Sequence, residues 1–172
     1  ETGFEAHALT VRYGQRHEVE IERAVALASS LGAADHRVVP VDLAFAGGSA
    51  LTDPDIAVPR GRAATTIGRG IPVTYVPARN TLLLSLALAW AETLGARDLF
   101  IGVNAVDYSG YPDCRPEFLE AFERLAALAT RAGDGGESFR VHAPLLRMSK
   151  GDIVRRAVEL GVDLSLTLSC YD

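Results

Sequence analysis

Cysteine is scarce in this chain. Cys114 and Cys170 are the only two among 172 residues. A secreted disulfide scaffold carries more, so a reducing compartment, the cytoplasm, is the expectation. Long apolar runs are missing as well. The longest, Thr81 to Trp90, is interrupted by Ser85 and is too short to span a bilayer, so no membrane partner is expected. Positive charge is not in excess: 17 Lys and Arg stand against 22 Asp and Glu, a net charge of −5. That argues against a surface that coats nucleic acid, while leaving room for a local basic site for phosphate. No signal peptide, internal repeat or low-complexity tract is visible in these residues. The first residue is Glu1, not Met, and it lies close to a strand, so a further N-terminal piece is expected.

What is present is ordinary globular material, 48% apolar and 23% charged. The length fits one α/β domain over residues 1–172, able to bury roughly two-thirds of its unfolded surface. The hydrophobic period switches between 2 and 3.6 along the chain. Residues 6–13 and 36–43 read as strands, with Pro40 making the second an edge or bulged strand. Residues 18–31 read as a helix ending at Gly32, where a left-handed residue suits the C-terminus. Residues 46–72 form a long loop rich in Gly, Pro and Arg. Asn80 is a good cap for a helix to about Leu94, apolar nearly all round and so buried. Residues 98–103 and 139–145 read as strands. Residues 116–132 read as a helix with Asp113 or Cys114 near its cap. Ser149 and Asp152 form a capping-box start to a last helix ending near Gly161. Strands alternating with helices predict an open, mostly parallel twisted sheet with helices on both faces.

The unusual polar residues fall just after the strands. Tyr13, Gln15, Arg16 and His17 follow the first. Arg79 and Asn80 follow the extended stretch 73–76. Asn104, Asp107, Tyr111, Asp113 and Arg115 follow the strand at 98–103, and Lys150 follows the last. The carboxyl edge of an open parallel sheet is where ligands bind. Arg and Lys pair with phosphate or carboxylate, Arg through a two-pronged fork. Asn, Gln and Asp read the edge of a heterocyclic base. Helix N-termini near Glu18, Asn80 and Pro116 add partial positive charge. Plainer readings stand beside these. Cys114 reads as a buried thiol and His142 as a structural histidine. Arg60, Arg62 and Arg69 read as a solvated loop face, and the Leu-rich run 81–88 as core.

Several stretches resemble the 7-cyano-7-deazaguanine synthase family. Residues 13–17 (YGQRH), with Glu20 three residues on, resemble YGQRHxxE. Residues 76–80 (VPARN) resemble VP(G/A)RN. Residues 107–115 (DYSGYPDCR) are the longest and most specific match. Pro144-Leu145, Ser149-Lys150 and residues 168–172 (LSCYD) resemble the closing segments. The matches keep family order from about residue 9 to 172.

The resemblance implies an adenine nucleotide α-hydrolase-like fold of the ATP pyrophosphatase superfamily. It implies ATP-dependent activation of 7-carboxy-7-deazaguanine, amidation by ammonia and dehydration to the nitrile, with Mg2+ accompanying ATP, in a cytoplasmic homodimer. It places Arg79 and Lys150 on an anion and Asp107, Tyr111 and Asp113 around the deazaguanine. Gln15, Arg16 and His17 face the nucleotide or the reacting carbon. Tyr13, Asn80, Asn104 and Arg115 join the binding set. The family's SGGxDS loop has no match here, and of its four zinc cysteines only Cys170 has a counterpart, so truncation at both ends is expected and Zn2+ depends on the missing cysteines. A tRNA-thiolating or amidating relative, and a non-catalytic deazapurine-binding fold, are the alternatives.

Overall fold

The computed structural model describes residues 3–15, 18–53, 55–57, 70–104 and 110–167. The order of elements among them is β1 (His7–Arg12), α1 (Val19–Ser30), β2 (Asp35–Pro40), α2 (Arg79–Leu94), β3 (Asp98–Phe100), α3 (Pro116–Ala129), the single turn α4 (Arg131–Asp134), β4 (Arg140–His142) and α5 (Lys150–Glu159). Short 3-10 turns lie at Ala44–Ala46, Pro112–Cys114 and Leu164–Leu166.

The alternation of strand and helix gives parallel pairing, as the sequence predicts. The sheets are small: β1 pairs with β2 from His7 opposite Asp35 to Arg12 opposite Pro40, and β3 pairs with β4 from Asp98 opposite Arg140 to Phe100 opposite His142. Each strand is shorter than its apolar run. β2 ends at Pro40, and beyond it the Val41 and Leu43 N–H groups still donate to the Arg12 and Tyr13 carbonyls at 2.8 and 3.2 Å. The 116–132 helix is interrupted at Thr130, whose backbone is extended and whose hydroxyl accepts the Gly133 N–H to start α4. Of the long loop, residues 46–53, 55–57 and 70–72 are described. Arg60, Arg62 and Arg69 lie outside the described residues.

Both pairs of strands run in one direction. β1 starts beside Trp90, near the end of α2, where the His7 and Trp90 rings lie 5.7 Å apart, and it leads to Tyr13 beside Arg79 at the start of α2. β3 begins a few residues after α2 ends, and the chain beyond it returns to the first turn of α2 at Asp113. All four strands therefore aim their carboxyl ends at the side where α2 begins. Between β1 and β3 lies a cleft of about 720 Å³, floored by Leu83, Ala87 and Trp90 of α2.

The main core packs Leu84, Leu88 and Ala91 of α2 against Leu99, Val103, Leu119, Phe122, Ala126 and Phe139. Each fully buried Leu or Phe contributes roughly 1.5–3 kcal/mol. A second cluster joins Val11 and Tyr13 to Leu51 and Val76, with Leu83 and Leu86 of α2 against it. The Leu-rich face of α2 is thus core, as expected. Cys114 is buried, and His142 is satisfied by Asp98, with Nε2 and Oδ1 2.7 Å apart. Among the described residues no helix is long and apolar enough to cross a membrane.

The last helix confirms its capping box. Ser149 Oγ accepts the Asp152 N–H at 3.2 Å, and Asp152 Oδ2 accepts the Ser149 N–H at 3.0 Å. The Ser149 side chain, then its backbone N–H, then Arg155 hold the Asp152 carboxyl below its ordinary value of 3.8. A depressed carboxyl contributes stability that is present above 3.8 and is lost as pH falls through its lower folded value. Ser149→Ala is expected to cost about 1 kcal/mol in urea unfolding at neutral pH. That difference should shrink in acid, where the protonated Asp152 no longer completes the box.

Candidate functional site at the start of the long helix

The site is built on three short segments that meet at the N-terminus of α2. The first is the turn after β1. Gly14 has φ +85, a conformation that a side chain resists, so a glycine is required to bend the chain here. Gln15 folds back, and its Oε1 accepts the Tyr13 N–H at 2.8 Å. The Tyr13 ring is buried against Val76 and Leu51, while its hydroxyl accepts from Arg79 Nη1 at 3.4 Å. The Arg79 guanidinium carbon lies 5.8 Å from the Tyr13 ring centre. A cation over a ring at this range gains about 0.5–1 kcal/mol.

The second segment is 72–80. Here the expected cap is corrected. Asn80 does not cap α2. It is the second residue of the helix, and Ala78 holds the capping position with φ 55 and ψ 21. Ala78 is the one described non-glycine residue with positive φ, a conformation that costs an L-residue roughly 1–2 kcal/mol. Its N–H is held by the Tyr75 hydroxyl at 3.1 Å. Ala78 supplies no side-chain cap hydrogen bond. The third segment supplies one instead. Asp113 Oδ2 accepts the Asn80 N–H at 3.0 Å, and the Asn80 side-chain amide donates to the Asp113 carbonyl and to Cys114 Sγ, each at 3.1 Å. All three residues are buried. Two further contacts bind the same segments. Thr74 Oγ1 and the Tyr111 hydroxyl lie 2.7 Å apart, and Tyr75 stacks on Tyr111 with ring centres 6.1 Å apart. Asp113 and Cys114 lie just ahead of the capping position of α3, as expected. Arg115 holds that position, with Pro116 at the first helical residue and no side-chain hydrogen bond.

The structure therefore brings together Tyr13, Gln15, Arg79, Asn80, Tyr111 and Asp113. Asn104 is buried at the end of the segment after β3. Arg115 and Lys150 are exposed, at the starts of α3 and α5, and make no hydrogen bond to this group. Lys150 is the chain's only lysine. Arg16, His17, Asp107 and Cys170 lie outside the described residues. Sequence reasoning missed Thr74 and Tyr75, whose hydroxyls act on residues at some remove. It also missed the left-handed Ala78, although the Gly/Ala alternation in the VP(G/A)RN pattern is the mark of a positive φ.

The helix N-terminus expected to attract a ligand anion at Asn80 is already engaged by the Asp113 carboxylate. The Arg79 side chain in the same turn is half-buried and lies against Tyr13. Among the described residues no group of three or more His, Cys, Asp or Glu could hold a metal. Cys114 has no such group around it, so the described residues do not fit a zinc centre.

The profile described as queuosine biosynthesis protein QueC matches residues 1–172. The chain belongs to the QueC family. It is 66% identical over 170 residues to a 7-cyano-7-deazaguanine synthase of Anaeromyxobacter sp. (strain Fw109-5), covering 99% of this chain and 73% of that relative. It is 63% identical to the synthase of Thiobacillus denitrificans (strain ATCC 25259 / T1), covering 99% of this chain and 74% of that protein. Identity to the Rhodopirellula baltica (strain DSM 10527 / NCIMB 13988 / SH1) synthase is 61%, over 99% and 68%. Of this QueC-family chain's motif residues, Tyr13, Gln15, Arg79, Asn80, Tyr111 and Asp113 are the described ones that meet at the start of α2.

Proposed function

We propose that this chain converts 7-carboxy-7-deazaguanine and ammonia to 7-cyano-7-deazaguanine at the expense of ATP. The observation that carries the reading is the whole-length QueC match, together with relatives above 60% identity that bear the synthase name. A carboxylate is a poor electrophile. ATP supplies a phosphoryl-type leaving group on one carboxylate oxygen, ammonia displaces it and loses a proton to give the amide, and dehydration, in which the amide oxygen and both N–H protons leave as the elements of water, gives the nitrile. Catalysis of such steps is mainly positioning and charge neutralisation.

In this reading Arg79 receives the negative charge, of phosphate or of the substrate carboxylate, through its guanidinium fork. Tyr13 holds that fork from below. Gln15 would face the nucleotide or the reacting carbon, Tyr111 would sit by the deazaguanine, and Asn104 would join the binding set. Lys150, Arg115, Arg16, His17 and Asp107 belong to the proposed set through the family motifs. Mg2+ would screen the ATP phosphates. The protein would work in the cytoplasm, as a homodimer.

The test incubates the purified protein with 7-carboxy-7-deazaguanine, an ammonium salt and MgATP, and follows the base by mass spectrometry. The expected result is ATP-dependent appearance of the nitrile. Accumulation of the amide alone would assign the chain to an amidating enzyme, and neither product would sink the proposal.

A further inference from the structure

Asp113 is a buried acid within a binding motif, yet its carboxylate faces protein. Oδ2 accepts the Asn80 N–H at 3.0 Å, and the residue is 6% exposed. α2 makes no cap hydrogen bond from its own capping residue, because that position is an alanine in the left-handed region. The acceptor comes from 33 residues away. The same turn returns a second hydrogen bond, from the Asn80 side chain to the Asp113 carbonyl. The first turn of α2 is therefore clamped on both its backbone and its side chain. Arg79 is the residue immediately before Asn80 in that turn. Its fork reaches Tyr13, on a third segment, at 3.4 Å.

We infer that Asp113 is a positioning residue for Arg79, capping the helix that carries the guanidinium instead of contacting the base. The inference rests on Arg79 acting as the anion-binding group of the proposed synthase. A displacement of about 1 Å at such a group can cost about a hundredfold in rate. A cap needs an oxygen at one place, and charge is secondary. Asn and Asp cap helices about equally well, while a longer side chain sets its oxygen elsewhere. A base-reading carboxylate has the opposite requirement, because asparagine would offer the ring's N–H groups no charge.

The test therefore compares Asp113→Asn with Asp113→Glu, each also combined with Arg79→Ala, in the nitrile-forming assay. Asp113→Asn should keep kcat/KM within about threefold of the parent. Asp113→Glu should lose about tenfold or more. In the Arg79→Ala background the Glu substitution should add less than about twofold, because the group it displaces is gone. Amide exchange of Asn80 should quicken in Asp113→Glu and stay slow in Asp113→Asn. Full activity in Asp113→Glu with loss in Asp113→Asn would overturn the inference in favour of contact with the base. Equal losses in both variants would overturn it too. So would losses that multiply independently of Arg79, which would leave Asp113 as ordinary fold support. If Arg79→Ala alone leaves turnover unchanged, the anion reading fails, while the exchange result still reports on the clamp.

Discussion

Replacing Arg79 with alanine should lower kcat/KM by about a hundred- to a thousandfold, the range seen when one group that stabilises developing negative charge is removed. The loss of stability should be the smaller effect. Arg79 opens α2, alanine is the best helix former, and the cation over Tyr13 contributes about 0.5–1 kcal/mol. The pairing of a large kinetic loss with a small melting shift is what separates this residue from its buried neighbours. Arg79→Lys should recover part of the rate, since charge is kept and the planar fork is lost. Steady-state kinetics and thermal melts on the two variants decide the matter. Unchanged turnover in Arg79→Ala would remove Arg79 from the site.

The largest loss of stability should come from far outside the site, at Gly133. Its backbone φ is not positive, so the obstacle is space and not conformation. A Cβ there would overlap the carbonyl oxygen of Ala127 and stand 2.5 Å from its carbon and 2.7 Å from its Cα. Those are backbone atoms of α3, and no side chain can swing aside to relieve them. The same corner is held by Thr130, whose hydroxyl donates to the Ala126 carbonyl and accepts the Gly133 N–H, and by Glu92, which accepts the Ala132 N–H. Gly133→Ala should cost at least about 3 kcal/mol, the upper end of ordinary overpacking. For a chain of this size that is a drop of roughly 10 °C in melting temperature. Gly136→Ala meets nothing within 4 Å and has φ +84, so it isolates the conformational cost of the same chemical change. A melt within about 3 °C of the parent for Gly133→Ala would show that α3 and α4 can part without penalty.

How much of this was readable in the residues depends on how far apart the partners lie. The ends of α1 and α5 are written locally: Gly32 and Gly161 take positive φ, and Ser149 and Asp152 cap each other across three residues. Alternation of strand and helix predicted parallel pairing, and the carboxyl-edge rule placed Tyr13, Gln15 and Arg79 together. The start of α2 was not readable. Asn80 is an excellent capping residue by type, but its polar groups are drawn inward by Asp113 and Cys114, and the capping position falls to an alanine. No local preference announces a cap supplied from across the chain. The strands were overestimated for a related reason. Apolar runs such as 98–103 mark burial, which continues past the last paired residue, Phe100, to Val103 in the core.

The distance between α2 and its cap also has a meaning in time. A chain leaves the ribosome at about 5–20 residues per second, so the 33 residues between Asn80 and Asp113 take roughly two to seven seconds to appear. For the part of that interval after Leu94 has been made, α2 is complete and its leading amide still lacks this acceptor. Arg79 finds its place only when the later segment arrives. This binding edge is consequently completed only after the helix that bears it has been made.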